Sequence, residues 1–199
     1  MRLVSSDELT PRELAAVERI YVDAFPSDLQ APFPDLFADR MLALLDEAGP
    51  AGLALVRDLA GTTWTFLRYY AVGRRGEGTG SVMWTHLTAL LAEEGRTRLV
   101  WDVEDPDEAG IPAESVVEHR RRIAFYERLG GRLLPVHEYH PPHGDLAGHE
   151  PQLRLMDVPL GDGDEASLRE LVEGVYWLRY GRDPEHPDVR RTLLASNLD

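Results

Sequence analysis

Three glycines at alternate positions, Gly76, Gly78 and Gly80, punctuate the segment Gly73-Arg74-Arg75-Gly76-Glu77-Gly78-Thr79-Gly80-Ser81. Glycine lets a backbone approach a ligand closely. A helix starting here would aim its first free N–H groups, and the positive end of its dipole, at that ligand. The arrangement suits an anion, above all a phosphate, and Arg74 and Arg75 supply side chains that pair with one. Spacing narrows the class. Gly80 is followed by Ser81-Val82 and not by Lys and a hydroxyl residue, which excludes the P-loop. The glycines run G-x-G-x-G and not G-x-G-x-x-G, and no acidic residue closes a second strand about 20 residues on, which excludes the dinucleotide fingerprint.

Further chemistry-bearing residues follow. Tyr126 lies on one helical stripe with Ile123 and Gly130, so its ring can face a sheet while its hydroxyl reaches a cleft. It reads either as a proton donor or as a core tyrosine satisfied locally. Glu104 ends the stretch 98–104, in which Leu99, Trp101 and Val103 share one face while Asp102 and Glu104 share the other. A carboxylate there is a proton acceptor or a solvated strand end. His137, His140, His143 and His149 raise the question of a metal, but alternation separates the first two and the rest match no helical ligand pair. No metal is expected, and Tyr139 and His140 read better as the wall of a pocket. Arg120-Arg121-Arg122 reads as basic cover for an acidic surface.

The elements that must position these groups are marked along the chain. Thr10-Pro11-Arg12-Glu13 is a capping box with proline at the first helical position, and Leu14, Val17, Tyr21 and Ala24 continue the helix until Pro26. Residues 1–5 suit a short strand and 31–40 a short helix. Two apolar runs, 41–45 and 52–56, flank the turn formers 46–50 and suggest a hairpin, although 41–45 alone equally suits a helix. Residues 63–72 are aromatic and β-branched, the best-marked strand. After the glycine loop, Met83, Leu87, Leu90 and Leu91 define an amphipathic helix stopped by Gly95. Strand 98–104, a polar loop, a helix over 114–129, two strands over 132–139 and 152–158, a linker at 161–164 and a helical tail complete the order. This indicates an α/β (α+β) fold built on a mixed sheet.

The chain has 199 residues, so one domain with a small appendage is expected. Cysteine is absent, which excludes disulfides, thiolate metal sites and a cysteine nucleophile. Acidic residues number 35 against 21 basic ones, a net charge of −14, which argues against nucleic acid as a partner. Such a surface favours a cationic ligand, or serves solubility alone. No apolar run approaches the ~18 residues of a membrane span, and the first residues lack a secretory apolar stretch, so a cytoplasmic protein without a membrane partner is expected.

The loop Val72-Gly73-Arg74-Arg75-Gly76-Glu77-Gly78-Thr79-Gly80-Ser81 resembles the pyrophosphate-binding V-x-x-x-R/Q-x-x-G-x-G/A signature of the GCN5-related N-acetyltransferase (GNAT) superfamily, with Arg75, Gly78 and Gly80 in the signature positions. A second segment, Arg122-Ile123-Ala124-Phe125-Tyr126-Glu127-Arg128-Leu129-Gly130-Gly131, is similar to that family's A-x-x-F-Y-x-x-x-G-F/Y helix. Element order follows the family from the first strand to about residue 158. The resemblance implies a mostly antiparallel mixed sheet flanked by helices over 1–160. Residues 161–199 then form a helical extension, packed on that domain or at a homodimer contact. It implies an acetyl-CoA-dependent N-acetyltransferase acting on the primary amine of a small molecule, or alternatively a non-catalytic module that binds acyl-CoA. Tyr70, Ala71, Val72, Arg74, Arg75, Gly76, Gly78, Thr79, Gly80 and Ser81 would bind acetyl-CoA. Tyr126 would protonate the leaving thiolate and Glu104 would accept the amine proton, with Asp102 next in line. The chain departs from the pattern at Gly131, where the family carries an aromatic residue. It departs again after Glu104, where Asp105-Pro106-Asp107-Glu108 replaces an asparagine.

Overall fold

The computed structural model describes residues 1–26, 30–74, 76–142 and 152–198. They divide into two compact units, one of Met1–Asp58 and Thr65–Arg96, the other of Leu59–Trp64 and Thr97–Asp199. Among the described residues, no helix is long and apolar enough to cross a membrane.

The first unit carries β1 (Arg2–Ser5), α1 (Pro11–Ala24), a 3-10 helix (Phe33–Ala38), β2 (Arg40–Asp46), β3 (Gly49–Asp58), most of β4 (Trp64–Val72) and α2 (Thr79–Glu93). Its strands pair antiparallel in chain order, with Val4 opposite Ala43, Ala43 opposite Leu53 and Leu53 opposite Ala71. The capping box forms as its sequence requires: Thr10 accepts from the Glu13 amide and Glu13 accepts from the Thr10 amide. The run that suited helix or strand equally is β2. It is apolar throughout because both faces are covered. Met41, Ala43 and Leu45 pack with Val17, Ile20 and Tyr21 of α1, while Leu44 packs with Ala51 and Met83 of α2. A Cβ on Gly52 would lie 2.8 Å from both the Ala71 carbonyl and the Met83 sulfur, so α2 closes on this sheet only over a glycine.

The second unit carries β5 (Arg98–Glu104), α3 (Ala113–Arg128), β6 (Arg132–Leu133), β7 (Leu153–Pro159), α4 (Leu168–Tyr180) and α5 (Pro187–Ala195). Strand β7 pairs antiparallel with β5 on one side and β6 on the other, placing Met156 opposite Trp101 and Leu133. The helix-and-strand class with antiparallel pairing is the one expected. One element is not: the strand expected over 132–139 stops at Leu133. Glu138 takes a left-handed conformation (φ 51°), which turns the chain. Leu134 still donates to the Leu155 carbonyl of β7 at 3.0 Å, but the Val136 N–H turns back to the Leu134 carbonyl at 2.8 Å and the His137 N–H goes to the Ser196 hydroxyl at 2.9 Å. Alternation therefore does not separate His137 from His140 as supposed, and His143 and His149 lie outside the described residues.

Two acids, one buried and one half-buried, tie this unit together. Asp157, with no exposed surface, accepts from Arg98 at 2.8 Å and from Arg132 at 2.7 and 2.9 Å. Asp164, in the linker before α4, accepts from Arg98 at 2.6 Å and from the Trp64 indole at 2.8 Å. Helix α4 runs close over Trp64, where a Cβ on Gly174 would stand 2.7 Å from the ring.

Candidate functional site

The glycine loop of the first unit ends in Gly78, which caps α2 in the left-handed conformation (φ 75°). Gly76 is also left-handed (φ 86°), and beside both glycines the space a side chain would fill is open. Helices α1 and α4 carry complete capping boxes, whereas among the described residues no side chain caps α2 and no acid lies in its first turn. The first-turn N–H groups of Thr79, Gly80 and Ser81 thus face a cradle without a capping side chain, which fits the pyrophosphate of the acetyl-CoA that the resemblance implies. Tyr70 fixes this cradle to β4. Its hydroxyl donates to the Gly80 carbonyl at 2.6 Å and its ring meets Trp84 edge-on at 5.9 Å. Ala71 and Val72 stand opposite Leu53 and Gly52, so the end of β4 is held against β3. Arg74 donates to Asp46 at 2.9 Å, a half-exposed pair of the kind worth about 0–1 kcal/mol, which a phosphate can displace. Arg75 lies outside the described residues.

In the second unit, β5 presents its two acids on one face, each with its own partners. Glu104 accepts from Arg122 of α3. Burial pushes the Glu104 carboxyl up, but the charge and hydrogen bond of Arg122 outweigh it, and the group titrates below its ordinary value. Asp102 accepts from the Tyr139 hydroxyl at 2.9 Å and from the Tyr180 hydroxyl of α4. Tyr126 is buried, 6% exposed, with its ring against Trp101 at 4.9 Å. Burial raises its pKa well above the ordinary value, Arg122 lowers it and Glu104 raises it again, so the hydroxyl keeps its proton at neutral pH.

The two departures from the family pattern have physical explanations here. At Gly131 a Cβ would lie 2.9 Å from the Tyr126 carbonyl and 3.0 Å from two ring atoms of Trp101, so the indole already fills the space an aromatic residue would take. Asp105 is buried and serves the loop after β5. It accepts from the Asp107 amide at 2.9 Å and the Gln152 amide at 2.8 Å.

Three residues gain roles that the sequence reading did not assign. Arg120 fits the basic-cover reading through its exposed pair with Asp107 at 3.2 Å, but Arg122 turns inward to Glu104. The signal for Arg122 was its place one helical turn before Tyr126. Tyr139 is fully buried with its hydroxyl on Asp102, so it is not the wall of an open pocket. Tyr180 carried no local signal, being 78 residues from its partner. Among the described residues, no three histidines, cysteines or acids gather as a metal ion requires.

No protein-family model matches the chain, and no curated protein matches it. Solved structures do. A Bacteroides thetaiotaomicron protein assigned to the GNAT family of acetyltransferases is 22% identical with a TM-score of 0.67, covering 91% of this chain and 99% of its own. The aminoglycoside 6'-N-acetyltransferase of Enterococcus faecium is 16% identical with a TM-score of 0.60, covering 83% of this chain and 100% of its own. The ribosomal-protein-S18-alanine N-acetyltransferase of Escherichia coli is 19% identical with a TM-score of 0.55, over 83% and 98%. The chain therefore has the fold of the GNAT acetyltransferases.

Proposed function

We propose that this protein is an acetyl-CoA-dependent N-acetyltransferase that transfers the acetyl group directly to a primary amine of a small molecule. The observation that carries the reading is the glycine-capped N-terminus of α2, open where its glycines lack side chains and capped by none. The fold likeness supports it, and fold alone would not establish an activity. Backbone N–H groups at 78–81 hold the pyrophosphate, Arg74 and Arg75 pair with phosphates, and Tyr70, Ala71 and Val72 line the pantetheine along β4.

The reaction makes two demands on the chain. The acceptor must lose a proton, because an alkylamine of pKa ~10 is almost wholly protonated near neutral pH. The leaving thiolate must gain one. Tyr126, kept in its hydroxyl form by burial, is assigned the second task. The first falls to the acidic face of β5, where Glu104 is the nearer candidate by chain position and is weakened as a base by Arg122. The net charge of −14 favours a cationic acceptor over an acidic one.

The test is thiol release from acetyl-CoA across a panel of small primary amines. Release above the solvent rate with at least one amine is expected. Tight acetyl-CoA binding without release for any amine would leave a module that only binds the thioester, and no binding at all would remove the reading.

A further inference from the structure

Asp39 stands just before β2 in the first unit, and its side chain has no exposed surface. One of its oxygens accepts from Arg57 of β3 and the other from Arg68 of β4, the latter at 3.0 Å. We propose that Arg57 and Arg68, held by Asp39, bind a carboxylate of the acceptor, which makes the acceptor an amino acid or a similar small amino carboxylate. The inference rests on the proposed activity and deepens it by naming the class of amine.

One guanidinium balances a carboxylate, and Asp39 has two. Among the described residues neither arginine pairs with another acid, so a positive charge is left over here in a chain of net charge −14. Donors are left over as well. A guanidinium carries five N–H groups. Among the described residues Arg57 bonds only through Nε and Arg68 only through one Nη. The two side chains are 35% and 22% exposed, and neither has a nitrogen that is both buried and unbonded. Their remaining donors therefore face solvent, where a ligand reaches them. Planar forks of this kind match the two oxygens of a carboxylate.

The local fold aims the pair. Leu55 stands opposite Tyr69 and Val56 opposite Leu67, which leaves Arg68 as the extra residue of a β-bulge. A bulge bends the strand and redirects a side chain. The Arg68 guanidinium lies 5.2 Å from the centre of the Tyr69 ring, and that ring meets Tyr21 and Phe25 at 5.1 and 4.9 Å. The chain after α1 is pinned to the same wall. The Tyr21 hydroxyl donates to the Ala31 carbonyl at 3.2 Å and accepts the Ala31 amide at 2.8 Å. Gln30 donates to the Phe25 carbonyl at 2.6 Å. A fork set on a fixed wall loses little freedom when it takes a ligand.

Position along the strands separates this pair from the phosphates of acetyl-CoA. Gly52 pairs with Val72 where β4 leads into the glycine loop, and Arg57 lies five residues further along β3, about 16 Å away. Phosphates held at 78–81 are out of its reach. Pantetheine lined by Tyr70, Ala71 and Val72 runs back from the pyrophosphate toward Arg68, so its thioester end approaches the arginines. An acceptor with its carboxylate on Arg57 and Arg68 brings its amine toward that thioester. The negative field of the whole chain attracts the ammonium end, and the arginines hold the other.

The experiment uses L-phenylalanine with its carboxamide and phenethylamine, and L-leucine with its carboxamide and isopentylamine. Each is titrated calorimetrically into wild type, Arg68→Met and Arg57→Met with coenzyme A bound, and each is assayed for thiol release from acetyl-CoA. Wild type is expected to bind at least one acid about 10–100-fold more tightly than its carboxamide or amine, as charge-assisted hydrogen bonds imply. Arg68→Met brings that ratio toward one and raises KM for the acid, while acetyl-CoA affinity is kept. Arg68→Lys, with the charge but not the fork, recovers part of the ratio. Asp39 keeps one guanidinium in either Met variant, so if one fails to fold the other decides. Wild type that binds acids and carboxamides alike overturns the proposal, and so does a Met variant that weakens all three compounds of a set equally. Loss of acetyl-CoA affinity in Arg68→Met would give the arginines to the cofactor and also overturn it. Failure of the acetyltransferase reading looks different: no compound then releases thiol, whereas the carboxylate preference is read by binding alone.

Discussion

Replacing Gly131 with alanine tests whether Trp101 has taken the place of the aromatic residue that the helix motif lacks. The added Cβ would stand 2.9 Å from the Tyr126 carbonyl oxygen and 3.0 Å from Cη2 and Cζ2 of Trp101, well inside ordinary contact. Neither neighbour yields cheaply. The Tyr126 carbonyl already accepts the Leu129 and Gly131 amides, both at 2.9 Å, and Trp101 is 1% exposed. Over-packing of this kind costs about 1–3 kcal/mol. For a chain of this size each kcal/mol moves the melting temperature by about 2–4 °C, so calorimetry should find Gly131→Ala lower by about 2–12 °C. The same substitution in a Trp101→Phe background removes the two clashing ring atoms and should cost less, a coupling of about 0.5–3 kcal/mol. An unchanged melting temperature, or an equal cost in both backgrounds, would refute the idea that the indole fills this space.

Other outcomes follow from the same structure. Tyr126→Phe keeps the ring against Trp101 and removes the hydroxyl, so turnover should fall on the order of 10²-fold while acetyl-CoA affinity and melting temperature change little; unaltered turnover in a chemistry-limited reaction would make Tyr126 a core residue only. Glu104 titrates below its ordinary value of 4.5 when folded, so its pairing with Arg122 stabilises the fold above that pH and is lost as pH falls through the folded value. Arg122→Met should therefore flatten the acid limb of a stability–pH curve, and an unchanged limb would count against the pair. Asp157→Asn leaves Arg98 with one acid fewer in a buried network and should cost about 3 kcal/mol in urea unfolding, against no loss if the network is only superficial.

Local signals carried well from sequence to structure, and long-range pairings did not. The capping box at Thr10, the glycine loop before α2 and the stripe of Tyr126 each depend on residues within one or two turns, so spacing reveals them. The run Met41–Leu45 stayed ambiguous because a strand covered on both faces loses its alternation. The strand expected beyond Leu133 gives way where the Val136 N–H turns back to the Leu134 carbonyl, and Glu138 then takes a left-handed backbone that no residue preference announces. The partners of the two β5 acids were invisible for a different reason. Arg122, Tyr139 and Tyr180 lie 18, 37 and 78 residues from the carboxylates they reach, and only the fold brings them together.

The most direct test of the proposed function is whether the glycine cradle at the start of α2 binds acetyl-CoA. Titration calorimetry of the wild-type chain should give a saturable single-site heat. Acetyl-CoA at about 100-fold its Kd should then add about 2.7 kcal/mol of stability. That raises the melting temperature by about 5–11 °C. Gly78→Asp places a carboxylate and a Cβ at a left-handed position (φ 75°) where the pyrophosphate would lie, and should abolish both heat and shift while the protein stays folded. Absence of binding by the wild type, or binding of equal strength by Gly78→Asp, would contradict the assignment of this loop to the cofactor.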